Sequence, residues 1–146
     1  MTRSLTVIAI EGIGAIQPGD ELAEHIARAA QAQHTPLVNG DCLVVTQKVI
    51  SKAEGRLVAL EPTDVDAKRL LVESESARIV RRRGDLIISE THHGFVCANA
   101  GIDLSNVEDG TAALLPIDPD RSAKHVRDAI RARFGVEVAV IVSDTF

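Results

Sequence analysis

Two polar clusters stand at the ends of apolar runs: Asp103 with Ser105 and Asn106, and Asp144 with Thr145. Their carboxylate and hydroxyl oxygens are hard ligands suited to Mg²⁺ or Mn²⁺, ions that take few protein ligands and share the rest with phosphate and water. Ligands of α/β sheets bind at strand ends, so the two clusters together could hold a metal–phosphate complex. Taken singly, each reads first as an aspartate capping a turn. The segment 46–52 adds two lysines, Lys48 and Lys52, just after an apolar run, and a lysine there could neutralise phosphate charge. Either one alone reads as an ordinary surface lysine.

Other patterns point to chemistry less strongly. Gly12-Ile13-Gly14 invites comparison with the dinucleotide fingerprint, but Gln17 stands where a glycine or alanine belongs and Pro18 interrupts the approach to a helix. The phosphate-loop pattern is absent. Arg81-Arg82-Arg83 falls in what reads as the last turn of a helix, where cations offset the terminal carbonyls. His92 and His93 are neighbours on an extended segment, so they point to opposite faces and would not share one ion. Solvent exposure or a single structural hydrogen bond accounts for them, and His25 has no evident partner.

The elements that must position these residues alternate between helix and strand. Residues 6–10 predict a strand, broken by Gly12, Gly14, Pro18 and Gly19. Asp20 then caps a helix, with Leu22, Ile26, Ala29 and Ala30 on one face, running to about Gln33. After the Asn39-Gly40-Asp41 turn, the apolar run 42–45 predicts a strand covered on both faces. Pro62-Thr63 with Asp66 resembles a capping box opening a long helix, with Leu70, Leu71, Ala77 and Val80 as its apolar stripe and Gly84 as its stop. Residues 85–90 form the next strand, and 94–101 is extended and rich in small residues that let a ligand or another backbone approach. A short strand at 111–115 follows. A helix then opens at Asp118-Pro119, carries Ala123, Val126, Ile130 and Phe134 on one face, and ends at Gly135. The last strand is 137–143. No repeat, linker or low-complexity tract divides the chain, which reads as part of one mixed α/β (α+β) unit. It stops directly after an apolar strand, and we expect it to be the N-terminal portion, 1–146, of a larger domain.

Composition narrows the functional classes. The 146 residues are 45% hydrophobic but only 2% aromatic, so the core is built of Val, Ile, Leu and Ala and base stacking has few side chains to use. A net charge of −5 opposes broad attraction to nucleic acid or to an anionic membrane. Cys42 and Cys97 lie far apart inside apolar runs and read as reduced, buried thiols. The N-terminal apolar run is too short for a secretion signal or a membrane span, so a cytoplasmic protein is expected.

Four segments together resemble the coenzyme F420-0:L-glutamate ligase family. They are Glu11-Gly12-Ile13 with Pro18-Gly19-Asp20; residues 40–55 (GDCLVVTQKVISKAEG); residues 90–107 (ETHHGFVCANAGIDLSNV); and residues 114–119 joined to Val142-Ser143-Asp144-Thr145. The resemblance spans nearly the whole chain, and the order and spacing of the segments make it specific. It implies a mixed α/β fold acting as a homodimer, in which GTP and Mg²⁺ or Mn²⁺, with K⁺ as a further cation, serve to join L-glutamate to the terminal carboxyl group of the deazaflavin coenzyme. Carried over by position, Ile13, Gly14, Ala15, Ile16, Gln47, Lys52 and Asn106 would contact the guanine nucleotide. Asp103 and Asp144 would hold one metal ion, and Thr145 would help to hold a second. Three features depart from the family pattern: Gly14-Ala15 replaces a common Pro-Glu, Gln47 stands where serine is frequent, and family members continue past the Asp-Thr pair. No residue presents itself as a general base.

Two other readings compete. A noncatalytic nucleotide-binding half that needs a partner chain would bind nucleotide without turnover. A dinucleotide-dependent oxidoreductase would need an acidic ribose ligand after the second strand, whereas Asp41 precedes that strand.

Overall fold

The structure, a computed structural model, describes residues 4–61, 63–103 and 110–144. It is a mixed α/β fold, as the sequence predicts, with the elements in the order α1 (Leu22–Ala32), β1 (Cys42–Thr46), α2 (Gln47–Ala53), β2 (Leu57–Ala59), α3 (Val65–Ser74), β3 (Ser76–Arg83), β4 (Leu86–Thr91), β5 (Val96–Ala98), a 3-10 turn (Asn99–Gly101), β6 (Thr111–Ala113), α4 (Pro119–Phe134) and β7 (Ala139–Ser143). Among the described residues no helix is long and apolar enough to cross a membrane.

The centre of the fold is the parallel pair β1–β7, in register from Cys42 opposite Ala139 to Thr46 opposite Ser143. Helices α1 and α4 cover one face of it because their apolar residues recur every three or four positions: Leu22, Ala23, Ile26, Ala27 and Ala30 on α1, Val126 and Ile130 on α4. Of these, Leu22, Ala23, Ile26, Val126 and Ile130 pack with Ile16, Leu43, Val45, Ile50 and Val138 into the larger core cluster. The opposite face of β1 is exposed at Cys42, Val44 and Thr46, which corrects two expectations: the strand alternates rather than being covered on both sides, and Cys42 is exposed. Cys97 is buried as expected.

Helix α4 begins and ends where its residues say it must. The Asp118 carboxylate accepts the Arg121 N–H at 2.9 Å, Pro119 needs no hydrogen-bond acceptor in the first turn, and Gly135 takes the left-handed conformation (φ 67°) that closes the helix. The start of α1 differs from expectation. Glu21 holds the capping position with no side-chain bond, and the Asp20 carboxylate instead accepts the Gln17 N–H at 2.8 Å, bracing the loop before the helix.

The predicted long helix across residues 62–84 is a helix followed by a strand. Asp64 caps α3 by accepting the Ala67 N–H, and Pro62 lies outside the described residues. The helix stops at Ser74, and the Ser76 hydroxyl donates to the Val72 carbonyl at 2.5 Å, satisfying an acceptor that another turn would have used. The chain then turns into β3, which pairs antiparallel with β4, and β4 with β5. Arg81, Arg82 and Arg83 therefore lie on a strand rather than on a helix end, and Arg82 pairs with Glu73 at 2.7 Å. A smaller core of Val72, Ile87 and Ala100 lies beneath this meander.

The predicted strand at residues 6–10 is absent; the segment pairs with no other strand among the described residues. The side chain of Gln33 takes the place of a neighbouring strand, its amide nitrogen donating to the Ala9 carbonyl at 3.0 Å and its oxygen accepting the Glu11 N–H at 2.8 Å.

Candidate functional site

Parallel pairing carries β1 and β7 to the same end of the sheet, so Gln47 and Lys48, which open α2, lie beside Ser143 and Asp144. A cleft of about 220 Å³ sits there, lined by Gln47, Ser143 and Asp144 with His93, Phe95, Leu115 and neighbouring prolines. The described strands form three sheets, β1–β7, β2–β6 and β3–β4–β5, and the cleft marks a seam between them: α2 and β7 supply one wall, and the β4–β5 turn with the segment after β6 supplies the other.

A charged contact near the seam joins Lys48 to Asp103. The ammonium lies 2.5 Å from the Asp103 carboxylate, and both side chains are largely shielded, at 19% and 28% exposure. The Asp103 backbone is held by paired hydrogen bonds with Ala113 at 2.9 and 3.0 Å, so the carboxylate is delivered from a fixed point. Asp144 acts from the other wall. Burial raises the Cys97 thiol above its ordinary pKa, and the nearby negative charge of Asp144 raises it further.

His93 is fixed by its acceptors. Its Nε2 lies 2.7 Å from the Pro116 carbonyl and 3.0 Å from that of Ile117, so this nitrogen carries a proton and donates to them. Nδ1 is buried with no hydrogen-bond partner among the described residues. The ring stacks on Phe95, centroids 6.1 Å apart. His92 turns to the Ser74 carbonyl instead, so the two histidines diverge as the extended segment requires.

The other expected nucleotide contacts occupy varied positions. Gln47 is only 4% exposed, and its amide nitrogen donates to the Ser51 hydroxyl (2.6 Å) and the Leu114 carbonyl (3.1 Å). It is thereby committed to fastening α2 onto the strand end. Ile16 belongs to the core and Ile13 packs against it, whereas Gly14 and Ala15 are exposed, so backbone is what this loop presents. The loop is tied to the far end of α2 by the Gly19 N–H, which donates to the Ala53 carbonyl at 2.8 Å. Lys52 sits in that last turn of α2, half-buried. Asn106 and Thr145 lie outside the described residues, as does Ser105.

Helix geometry sorts the α2 side chains. Gln47 and Lys52, five residues apart, lie about 140° apart around the axis and cannot face one ligand in the same way. Lys48 and Lys52, four apart, share a face. Lys48 is the α2 lysine whose position the contact with Asp103 fixes.

A divalent ion fits the chemistry of this donor set. Asp103 and Asp144 offer hard oxygens, and the ammonium against Asp103 marks a position that already favours positive charge. Among the described residues no group of three or more His, Cys, Asp or Glu side chains gathers as metal ligands. Two carboxylates completed by phosphate and water match an ion of the Mg²⁺ type rather than a closed protein cage.

Fold and site thus define an α/β protein whose charged groups collect at the carboxyl ends of parallel strands. Residues 12–146 match the family model for F420-0:Gamma-glutamyl ligase. The chain is 43% identical to the Coenzyme F420:L-glutamate ligase of Methanothermobacter thermautotrophicus, over 97% of this chain and 62% of that protein. It is 42% identical to the Coenzyme F420:L-glutamate ligase of Methanopyrus kandleri, over 89% of this chain and 55% of the relative, and 38% identical to that of Archaeoglobus fulgidus, over 95% and 59%. The chain belongs to the F420-0:gamma-glutamyl ligase family. It spans about three fifths of the length of these relatives.

Proposed function

We propose that the protein joins L-glutamate to the terminal carboxyl group of coenzyme F420-0 at the expense of GTP. The observation that supports this best is that the Lys48–Asp103 pair at the start of α2 and Asp144 after β7 follow the carboxyl ends of the paired strands β1 and β7, in a chain 43% identical to a relative named for that ligation.

The reaction requires two bond exchanges. The carboxylate of F420-0 attacks the γ-phosphorus of GTP, the bond to the β-phosphate oxygen breaks, and GDP leaves. The amine of glutamate then attacks the resulting acyl phosphate, the amide bond forms, inorganic phosphate departs, and the amine gives up a proton. A Mg²⁺ or Mn²⁺ ion, with K⁺ as a further cation, would neutralise charge on the phosphates when bound. Asp103, Asp144 and Thr145 would hold the divalent ions, and Lys48 and Lys52 would face the phosphates from α2. The exposed backbone of Gly14 and Ala15, between Ile13 and Ile16, would meet the nucleotide, with Asn106 completing the polar contacts. Gln47 serves that site by fixing the start of α2. A cytoplasmic homodimer is part of the same proposal.

The complete protein, incubated with F420-0, L-glutamate, GTP and Mn²⁺, should yield by mass spectrometry a coenzyme heavier by one or more glutamyl residues, and none when GTP or metal is omitted. A folded complete protein that binds GDP yet forms no product would replace the ligase reading with that of a noncatalytic nucleotide-binding protein.

A further inference from the structure

Lys48 and Asp103 are unequal partners. Asp103 is pinned through its backbone to Ala113, while the lysine ammonium rides on a flexible four-carbon stem from a helix whose first residue, Gln47, is buried and hydrogen-bonded. A cation arriving at the Asp103 carboxylate therefore meets an ammonium 2.5 Å from one of its oxygens, and the lysine rather than the aspartate must move. The shielding of both side chains keeps solvent from damping the repulsion between that ammonium and a divalent ion. Lys52, one turn along the same face, gives bound phosphate a second positive group and draws it towards Lys48.

We propose that Lys48 is a built-in counter-ion that competes with the divalent metal for Asp103, and that nucleotide phosphates relieve the competition by drawing the ammonium off the carboxylate. Metal and nucleotide then bind with positive coupling, and by linkage each raises the affinity of the other by the same factor. Lys48 is thus a positioning residue that ties loading of the ion to loading of the nucleotide. The inference rests on the proposed role of Asp103 as a metal ligand.

The test is calorimetric titration of the complete protein with Mn²⁺ alone, and then with Mn²⁺ in the presence of GDP, for the parent protein, K48M and D103N. Competition predicts that K48M binds Mn²⁺ alone about tenfold more tightly than the parent, that GDP improves Mn²⁺ binding less in K48M than in the parent, and that D103N binds at least tenfold more weakly. If D103N is weakened while K48M equals or falls below the parent, the metal assignment stands and the competition is overturned. If D103N is unchanged, the metal assignment fails and the competition with it. Should the parent show no binding, K48M must bring binding into range, and its failure to do so also overturns the proposal. K48Q, which keeps most of the stem and a polar end, repeats the comparison if K48M does not fold.

Discussion

The two halves of the molecule are held together by different means. Around β1 and β7, ten buried residues among those described, drawn from α1, β1, α2, α4, the loop before α1 and the residue before β7, form one continuous cluster, with Ile130 and Ile50 almost wholly enclosed. Beneath the β3–β5 meander, among the described residues, Val72, Ile87 and Ala100 alone are buried together as a cluster. Much of the remaining tie is ionic: Arg78 to Glu90, Arg82 to Glu73 and Arg56 to Glu75, each at 2.7 Å. The candidate site takes Lys48 and Asp144 from the first half and Asp103, His93 and Phe95 from the side of the second. A rigid wall therefore faces a thinner one, and site geometry should be more sensitive to the meander than global stability is.

The largest expected effects separate site from scaffold. D103N and D144N should each lower GTP-dependent glutamylation by the complete protein by about 10²–10³-fold, the range for removing a preorganised electrostatic contact. Their thermal unfolding should stay near that of the parent, and activity that survives either change would remove that residue from the site.

Core truncations test the contrast itself. Ile130→Ala should cost about 3–5 kcal/mol in denaturant unfolding and Ile87→Ala about 2–3 kcal/mol, both within the span for buried isoleucine. Ile87→Ala should also speed amide exchange in β3–β5 while leaving β1 and β7 protected. Equal costs with exchange spread over both halves would erase the distinction drawn here.

The thiols give a smaller, local readout. Cys42 is exposed and should be alkylated readily in the folded protein, whereas Cys97 is buried and should resist. Because the folded pKa of Cys97 is raised, first by burial and then by Asp144, its protonated form contributes stability that is fully present below the unfolded thiol value of about 8.5 and is lost as pH rises through the folded value. Cys97→Ala should flatten that alkaline loss, and D144N should lessen it. Smallest of all, Arg78→Ala should cost less than about 1 kcal/mol, since its bond to Glu90 joins an exposed arginine to a half-exposed partner.

Much of this was legible wherever local chemistry marks an element's limits. Asp118, Pro119 and Gly135 define α4 without any tertiary information, and the structure uses each in that role. The stretch 62–84 misleads for the opposite reason. Leu70, Leu71, Ala77 and Val80 continue a helical spacing across a break that carries no glycine or proline, and the pairing of β3 with β4 decides against the helix. Residues 6–10 have the composition of a strand, but a strand needs a partner ladder, and Gln33 satisfies that backbone from a side chain twenty-four positions away from Ala9. In the site, Asp103 and Asp144 were visible as carboxylates ending apolar runs. Lys48 was harder to single out, because its importance lies in which α2 face meets Asp103, a contact between residues far apart in the chain.

The proposed site has metal and nucleotide meeting at the seam between the two halves. The most direct measurement is amide NMR of the protein with GDP and substoichiometric Mn²⁺, read as paramagnetic broadening. Gln47, Lys48, Asp103, Ser143 and Asp144 should broaden first. Broadening centred instead on the cleft of about 420 Å³ lined by Glu21, Glu54, Asp118 and His125 would contradict that placement.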